Sequence, residues 1–180
     1  MRLRNGLMLG SLAATLALFP AVGRSAEPDT ATVLRDLHAA NQMEIAAGEL
    51  ARSWAQTVHV QTFGATLVSD HRRADEQVVA LANEEKIDLS EVPPMPADEM
   101  RALKSAKVPA FDELFALKML EGHDKIVAEA KAARDQTSDA KLRELLDVMI
   151  PVLEGHQQTA RSLVNNFGPN AAAAAAAKKK

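Results

Sequence analysis

The sequence predicts an all-α protein, a four-helix bundle with a long crossover between its second and third helices. Three observations predict it. Apolar residues recur at helical spacing through four long stretches, a proline-rich break divides those stretches two and two, and no segment alternates as a strand would.

In the first stretch Val33, Leu34, Leu37, Ile45, Leu50 and Ala51 share one face, with Asp29 or Thr30 available as N-cap, so a helix is expected over about 31–55. Val60, Phe63, Leu67, Val68, Val78 and Leu81 define the second, over about 58–86, with the break near residues 56–58. The following IDLSEVPPMPADEM places three prolines in four positions, which no helix interior accepts. It reads as the crossover, with a short helix at 97–106. Pro109 suits a first helical turn, and the third helix runs from there to about Arg134. After the turn DQTSD, the fourth helix covers about 138–167. Its stripe is Leu142, Leu145, Leu146, Met149, Leu153 and Leu163, Pro151 should kink it, and Gly168 and Pro169 should stop it. Two helical hairpins joined by a long connection form the ferritin-like arrangement.

The ends are set aside from the fold. Arg2 and Arg4 precede an apolar run over 7–22 and then small residues, the pattern of a secretory signal peptide over 1–25; the run is short for a membrane span. The bundle domain is expected over 26–168, followed by a low-complexity Ala/Lys tail over 169–180. The chain has no cysteine, which excludes a lipoprotein anchor and disulfides alike. Loss of the leader's three arginines leaves 18 basic against 24 acidic residues, a balance that argues against a nucleic-acid groove. A soluble periplasmic protein with no transmembrane segment after signal removal is the expectation.

Polar residues that share the apolar stripes carry the chemical information. His123 has Met119, Leu120, Ile126 and Val127 at helical neighbour positions, His156 has Val152, Leu153, Thr159 and Ala160, and His71 has Leu67, Val68, Ala74 and Val78 nearby. In the first helix Leu34, Leu37, Asn41, Glu44, Gly48 and Ala51 form a line that turns Glu44 inward. Counting rise from the proposed turns places Glu44 and His71 at depths of about 18 and 22 Å, but His123 and His156 at about 20 and 30 Å. The first pair could meet; the second is less secure, and a kink at Pro151 or a wider loop would reduce its gap.

Two readings follow. In the favoured one, Glu44 accepts hydrogen bonds from the histidines and Asn41 completes a buried polar network. In the alternative, Glu44, His71, His123 and His156 hold a divalent transition metal, zinc, iron or copper, since carboxylate and neutral imidazole suit such ions. A di-iron carboxylate centre is disfavoured, because the acid expected three residues before each histidine is replaced by Val68, Leu120 and Leu153. Met119, four residues before His123, is read as core filler rather than a copper(I) ligand. Asp70, Glu121 and Glu154 should point off the core stripe, solvated or interhelical; Gly48, Gly122 and Gly155 should permit close helix approach, with room for a ligand the lesser alternative; Trp54 should pack at the bundle end, and His38 and His59 have no such setting. The repeated LEGH, around His123 and His156, is mainly a packing signature in which leucine and histidine face inward. No nucleophile with a base and no phosphate-binding glycine loop is present.

The run from Glu44 through Gly48, Leu50 and Ala51, the Asp70–His71 pair, Phe111–Asp112, His123, and the spacing of Pro151 and His156 resemble the bacterial domain-of-unknown-function family 4142. The resemblance spans about Val33 to Leu163. It implies export and a ferritin-like bundle, and it implies no activity. Members are often labelled outer-membrane proteins, but barrel-like strands and an anchoring cysteine are both missing here. The expected function is therefore a non-enzymatic periplasmic bundle acting on envelope or stress physiology through a protein partner, with transition-metal binding as the alternative.

Overall fold

The computed structural model describes residues 28–90, 101, 103–106 and 110–167. The expected leader, the prolines of the crossover, the stop at Gly168 and Pro169 and the tail lie outside these residues. Four long helices dominate: α1 (Thr30–Trp54), α2 (Val58–Glu84), α3 (Ala110–Gln136) and α4 (Ala140–Phe167). Of the short helix expected in the crossover, the described residues 101 and 103–105 are helical. No strand occurs among the described residues.

Local chemistry sets the helix ends. Asp29 caps α1 by accepting from the Thr32 amide at 3.1 Å, and the Thr57 hydroxyl accepts from the Val60 amide at 3.4 Å to open α2. Expected boundaries shift by a few residues where caps intervene. Helix α4 starts at Ala140 rather than 138 because Asp139 serves as its cap, accepting from the Lys141 and Leu142 amides at 3.0 and 3.2 Å. Helix α2 ends at Glu84, two residues early, because Lys86 turns to φ 57° and Ile87 donates back to the Ala82 carbonyl at 2.8 Å. Pro151 lies inside α4, which remains helical through it although the Asp147 carbonyl loses its usual amide partner.

Helices α1 and α2 pack along their length, as do α3 and α4; α2 also meets α4, whereas α1 and α3 barely touch. The α1–α2 contact depends on Gly48 and Gly64. A Cβ at Gly48 would stand 2.6 Å from the Gly64 carbonyl oxygen, and one at Gly64 would stand 2.8 Å from the Gly48 carbonyl oxygen. Close approach, expected for three glycines, applies to Gly48 only. Gly155 has nothing within 4 Å of its missing Cβ, and Gly122 has only Glu44 Oε1, at 3.6 Å. The second glycine of the contact, Gly64, was not among those expected.

Two apolar cores fill the bundle. One, centred on Phe63, Phe111 and Phe115, lies toward the α1–α2 turn, and the other, with Leu34, Val78, Leu142 and Leu146, lies toward the α3–α4 turn. Asp112 joins the hairpins: buried in the first turn of α3, its carboxylate accepts from the Gln56 and Thr57 amides at 2.9 and 2.8 Å. Trp54 packs at this end as expected, its ring 6.2 Å from that of Phe111, while staying 42 % exposed. No helix among the described residues is long and apolar enough to cross a membrane.

The glycines make a paired prediction. Gly155→Ala should stabilise by up to about 1 kcal/mol through helix propensity alone. Gly48→Ala should destabilise by about 1–3 kcal/mol despite the same gain, because its methyl meets backbone. Urea unfolding of both variants checks the opposite signs.

Candidate metal centre

Between the two apolar cores lies a polar layer, made where the inward stripe of each helix is interrupted. Its members are Asn41 and Glu44 from α1, His71 from α2, His123 from α3 and His156 from α4, all 5 % exposed or less. His71 and His123 are the middle residues of α2 and α3. The imidazoles face one another, with ring centroids 5.8 Å apart for His71 and His123, 5.2 Å for His71 and His156, and 5.3 Å for His123 and His156.

His156 thus joins the cluster, contrary to the expected mismatch in depth. That count treated residues 137–139 as helical rise, but they cross between helices rather than climb along them. Measured from the observed helix ends, His123 lies about 20 Å from its end and His156 about 24 Å, less than one turn apart.

Each imidazole is fixed by an acceptor at one nitrogen. His71 Nδ1–H donates to Asn41 Oδ1 at 2.9 Å, His123 Nδ1–H to the Met119 carbonyl at 2.8 Å, and His156 Nε2–H to Asp70 Oδ2 at 3.0 Å. These acceptors select the tautomers. They leave His71 Nε2, His123 Nε2 and His156 Nδ1 as buried lone pairs with no hydrogen-bond partner. One ring nitrogen from each histidine lies within 4.8 Å of those of the other two.

Protonation does not relieve the crowding. Burial, with smaller contributions from His156 and His123, pushes the His71 pKa down to about 3. Burial also lowers His123 to about 4, against the upward pull of its bond to the Met119 carbonyl. Both rings are therefore neutral near pH 7.

Glu44 occupies a different place from the one expected. Its Oε1 stands 3.9 Å from His123 Nδ1, beyond hydrogen-bond distance, and that N–H is directed to the Met119 carbonyl. Asn41 does complete the polarity through His71. A cavity of about 40 Å³ adjoins the layer, lined in part by Glu44, His71, His123, Met43 and Met149.

Sequence reasoning missed two kinds of participant. Asp70, expected to be solvated or interhelical, reaches across to α4 and holds His156; that it serves a site histidine went unforeseen, because the bond runs to a different helix from that of its neighbour His71. Met43 passed unremarked and Met149 was read only as part of the apolar stripe, while Met119, the methionine considered as a ligand, serves His123 through its backbone. His38 has a setting after all, its Nδ1 lying 2.6 Å from Asp75 Oδ1, away from the cluster. Glu121 and Glu154 pair with Lys118 and Lys131, consistent with their expected outward direction.

Residues 18–163 match the family described as Domain of unknown function (DUF4142). The chain belongs to that family. No curated protein sequence matches it. The fold is similar to solved structures of CopM. CopM in the Cu(I)-bound form superposes with a TM-score of 0.68 at 18 % identity, covering 79 % of this chain and 99 % of that one. The Cu(II)-bound form gives 0.63 at 17 %, covering 77 % and 97 %, and the apo form 0.65 at 19 %, covering 78 % and 98 %. At these identities the likeness establishes the helical bundle of this DUF4142 chain.

The donor set fits a metal ion. Nitrogens bonded to one ion at about 2.0–2.1 Å lie about 3.3–3.5 Å apart, so closure requires side-chain movements on the order of 1 Å. Every imidazole already donates its other N–H to a carbonyl or carboxylate, as metal-bound histidines do.

The depressed pKa values set the pH response of the metal-free protein. Below about 6.5 the unfolded chain takes up protons that His71 and His123 refuse until about 3 and 4, so stability from these residues is full above 6.5 and is lost as pH falls. Urea midpoints from pH 7.5 to 4.5 should decline more steeply for the natural chain than for a His71→Leu/His123→Leu variant.

Proposed function

We propose that the chain binds copper through His71 Nε2, His123 Nε2 and His156 Nδ1, and that it holds the ion rather than turning over a substrate. One observation carries this reading: three buried histidines bring a ring nitrogen each within 4.8 Å of the others, and each keeps one nitrogen with no hydrogen-bond partner. The hydrogen bonds of the layer leave these three nitrogens unpartnered, and the Asn41 amide, its Nδ2 likewise unpartnered, offers two protons for three of them. A single water offers two protons for three acceptors. A cation satisfies all three.

Neutral imidazoles serve zinc, iron, nickel and copper, so donor type alone does not choose. Copper is preferred for two reasons. Met43 and Met149 are among the residues lining the adjoining cavity, and soft sulfur favours copper(I). The same bundle fold also occurs in CopM, solved with Cu(I), Cu(II) and silver bound. The cavity, about 40 Å³, accommodates an ion or a water and has no room for an organic substrate, which supports storage or buffering. In this reading Glu44 supplies negative charge beside the imidazoles, and export behind a cleaved leader over residues 1–25 places the bundle in the periplasm.

Protein purified without an affinity tag should bind one copper per chain and melt at a higher temperature when loaded, by the mass action of a ligand that binds only the native state. His71→Ala/His123→Ala/His156→Ala should abolish that stoichiometry. Asp70→Asn should weaken affinity by about 10–100-fold, the usual effect of losing a partner that orients a ligand. A melting temperature indifferent to copper, zinc and iron would sink the reading.

A further inference from the structure

The polar layer is buried, so an ion needs a way in. The weak contact between α1 and α3 leaves a groove of about 950 Å³ along that face of the bundle. Five residues line both this groove and the small cavity beside the imidazoles: Leu37, Ala40, Met43, Gly122 and Ile126. Met43 alone among them carries a side-chain donor atom. It is half-buried, at the threshold between the two spaces, whereas Met149 borders the inner cavity and is 3 % exposed.

The opposite wall of the threshold is Gly122. Its missing side chain leaves a gap beside Glu44, and a Cβ there would have Glu44 Oε1 as its nearest neighbour at 3.6 Å. The groove is lined by five carboxylate side chains against two lysines, a balance that concentrates cations at the mouth. Beyond the threshold wait the unpartnered Nε2 atoms of His71 and His123, whose side chains are 3 % and 0 % exposed. The groove between α2 and α4, lined by Thr62, Thr66, Thr159 and Ser162, shares no residue with the cavity.

We propose that the α1–α3 groove is the metal port of this protein, with Met43 as a relay ligand whose thioether takes a cuprous ion at the groove floor and passes it to the three histidines. The inference rests on the copper-binding reading above. The transfer is a ligand exchange without change of oxidation state: a sulfur–metal bond breaks as nitrogen–metal bonds form. A thioether suits a soft monovalent ion and contributes little to Zn²⁺, so the relay acts on Cu(I) and Ag(I) selectively.

Stopped-flow uptake of Ag(I), and of Cu(I) delivered from a coloured cuprous chelator, tests the port, with Zn²⁺ as the hard control. Met43→Leu keeps the bulk and removes the sulfur. It should slow uptake of both soft ions by about tenfold or more, with the final stoichiometry and the Zn²⁺ rate unchanged. Gly122→Leu, checked for native helicity by circular dichroism, closes the gap and should slow all three ions. Wild-type uptake rates for Ag(I) and Cu(I) in Met43→Leu overturn the relay, and wild-type rates in folded Gly122→Leu overturn the port. Equilibrium titration of the unsubstituted chain separates these outcomes from failure of the copper reading: a chain that binds neither soft ion removes the site itself.

Discussion

Three imidazoles gathered into one buried layer, each with a ring nitrogen that has no hydrogen-bond partner, are the constraint around which the rest of the structure is arranged. A buried polar atom without a partner costs about 1–3 kcal/mol, and one ring nitrogen of each of the three histidines is in that state. The fold carries that cost because apolar cores on both sides, one around Phe63, Phe111 and Phe115 and one around Leu34, Val78 and Leu142, seal the layer from water. Removing water from the layer strengthens any interaction made there. The same seal that makes the metal-free state expensive makes an ion in the layer well held.

Alignment of the histidines follows from the hairpins. Contact between Gly48 and Gly64 fixes the α1–α2 register, which brings Asn41 beside His71. In the other hairpin, bonds from Gln157 and Arg161 to Asp124 stand next to the His123 and His156 pair and belong to the same register. Asp112 then ties the α1–α2 turn to the start of α3, so the two hairpins cannot slide without breaking two bonds to a buried carboxylate. Helix α1 is the exception in this design. It offers no imidazole to the layer, and its separation from α3 leaves a groove that adjoins the polar layer.

Most of the fold was legible in the sequence because a helix repeats its core face every few residues, and each of Glu44, His71, His123 and His156 could be placed inward by its apolar neighbours. Membership of all three histidines in one layer was not, because depth was counted through a linking segment that does not climb. What each polar group does lay further out of reach. Tautomer, and with it the distinction between a network and a ligand set, is decided by acceptors on other helices or one turn back: Asn41 for His71, Asp70 for His156, the Met119 carbonyl for His123. A single helix pattern shows which way a histidine faces and nothing of which nitrogen keeps its proton.

Charge balance then bears on which ion the layer suits. An unpaired charge in an apolar interior is expensive, so a cation among neutral ligands needs a compensating anion nearby. Glu44 is the buried carboxylate in that position, and the field of a bound cation favours its ionised form. With a monovalent ion, three neutral imidazoles and one carboxylate, the buried layer is neutral. A divalent ion leaves one positive charge, which Asp70, about one-third exposed, offsets only through a more solvated and more strongly screened contact. Under the copper-binding proposal, a methionine at the threshold and the charge of the layer both favour a soft monovalent cation.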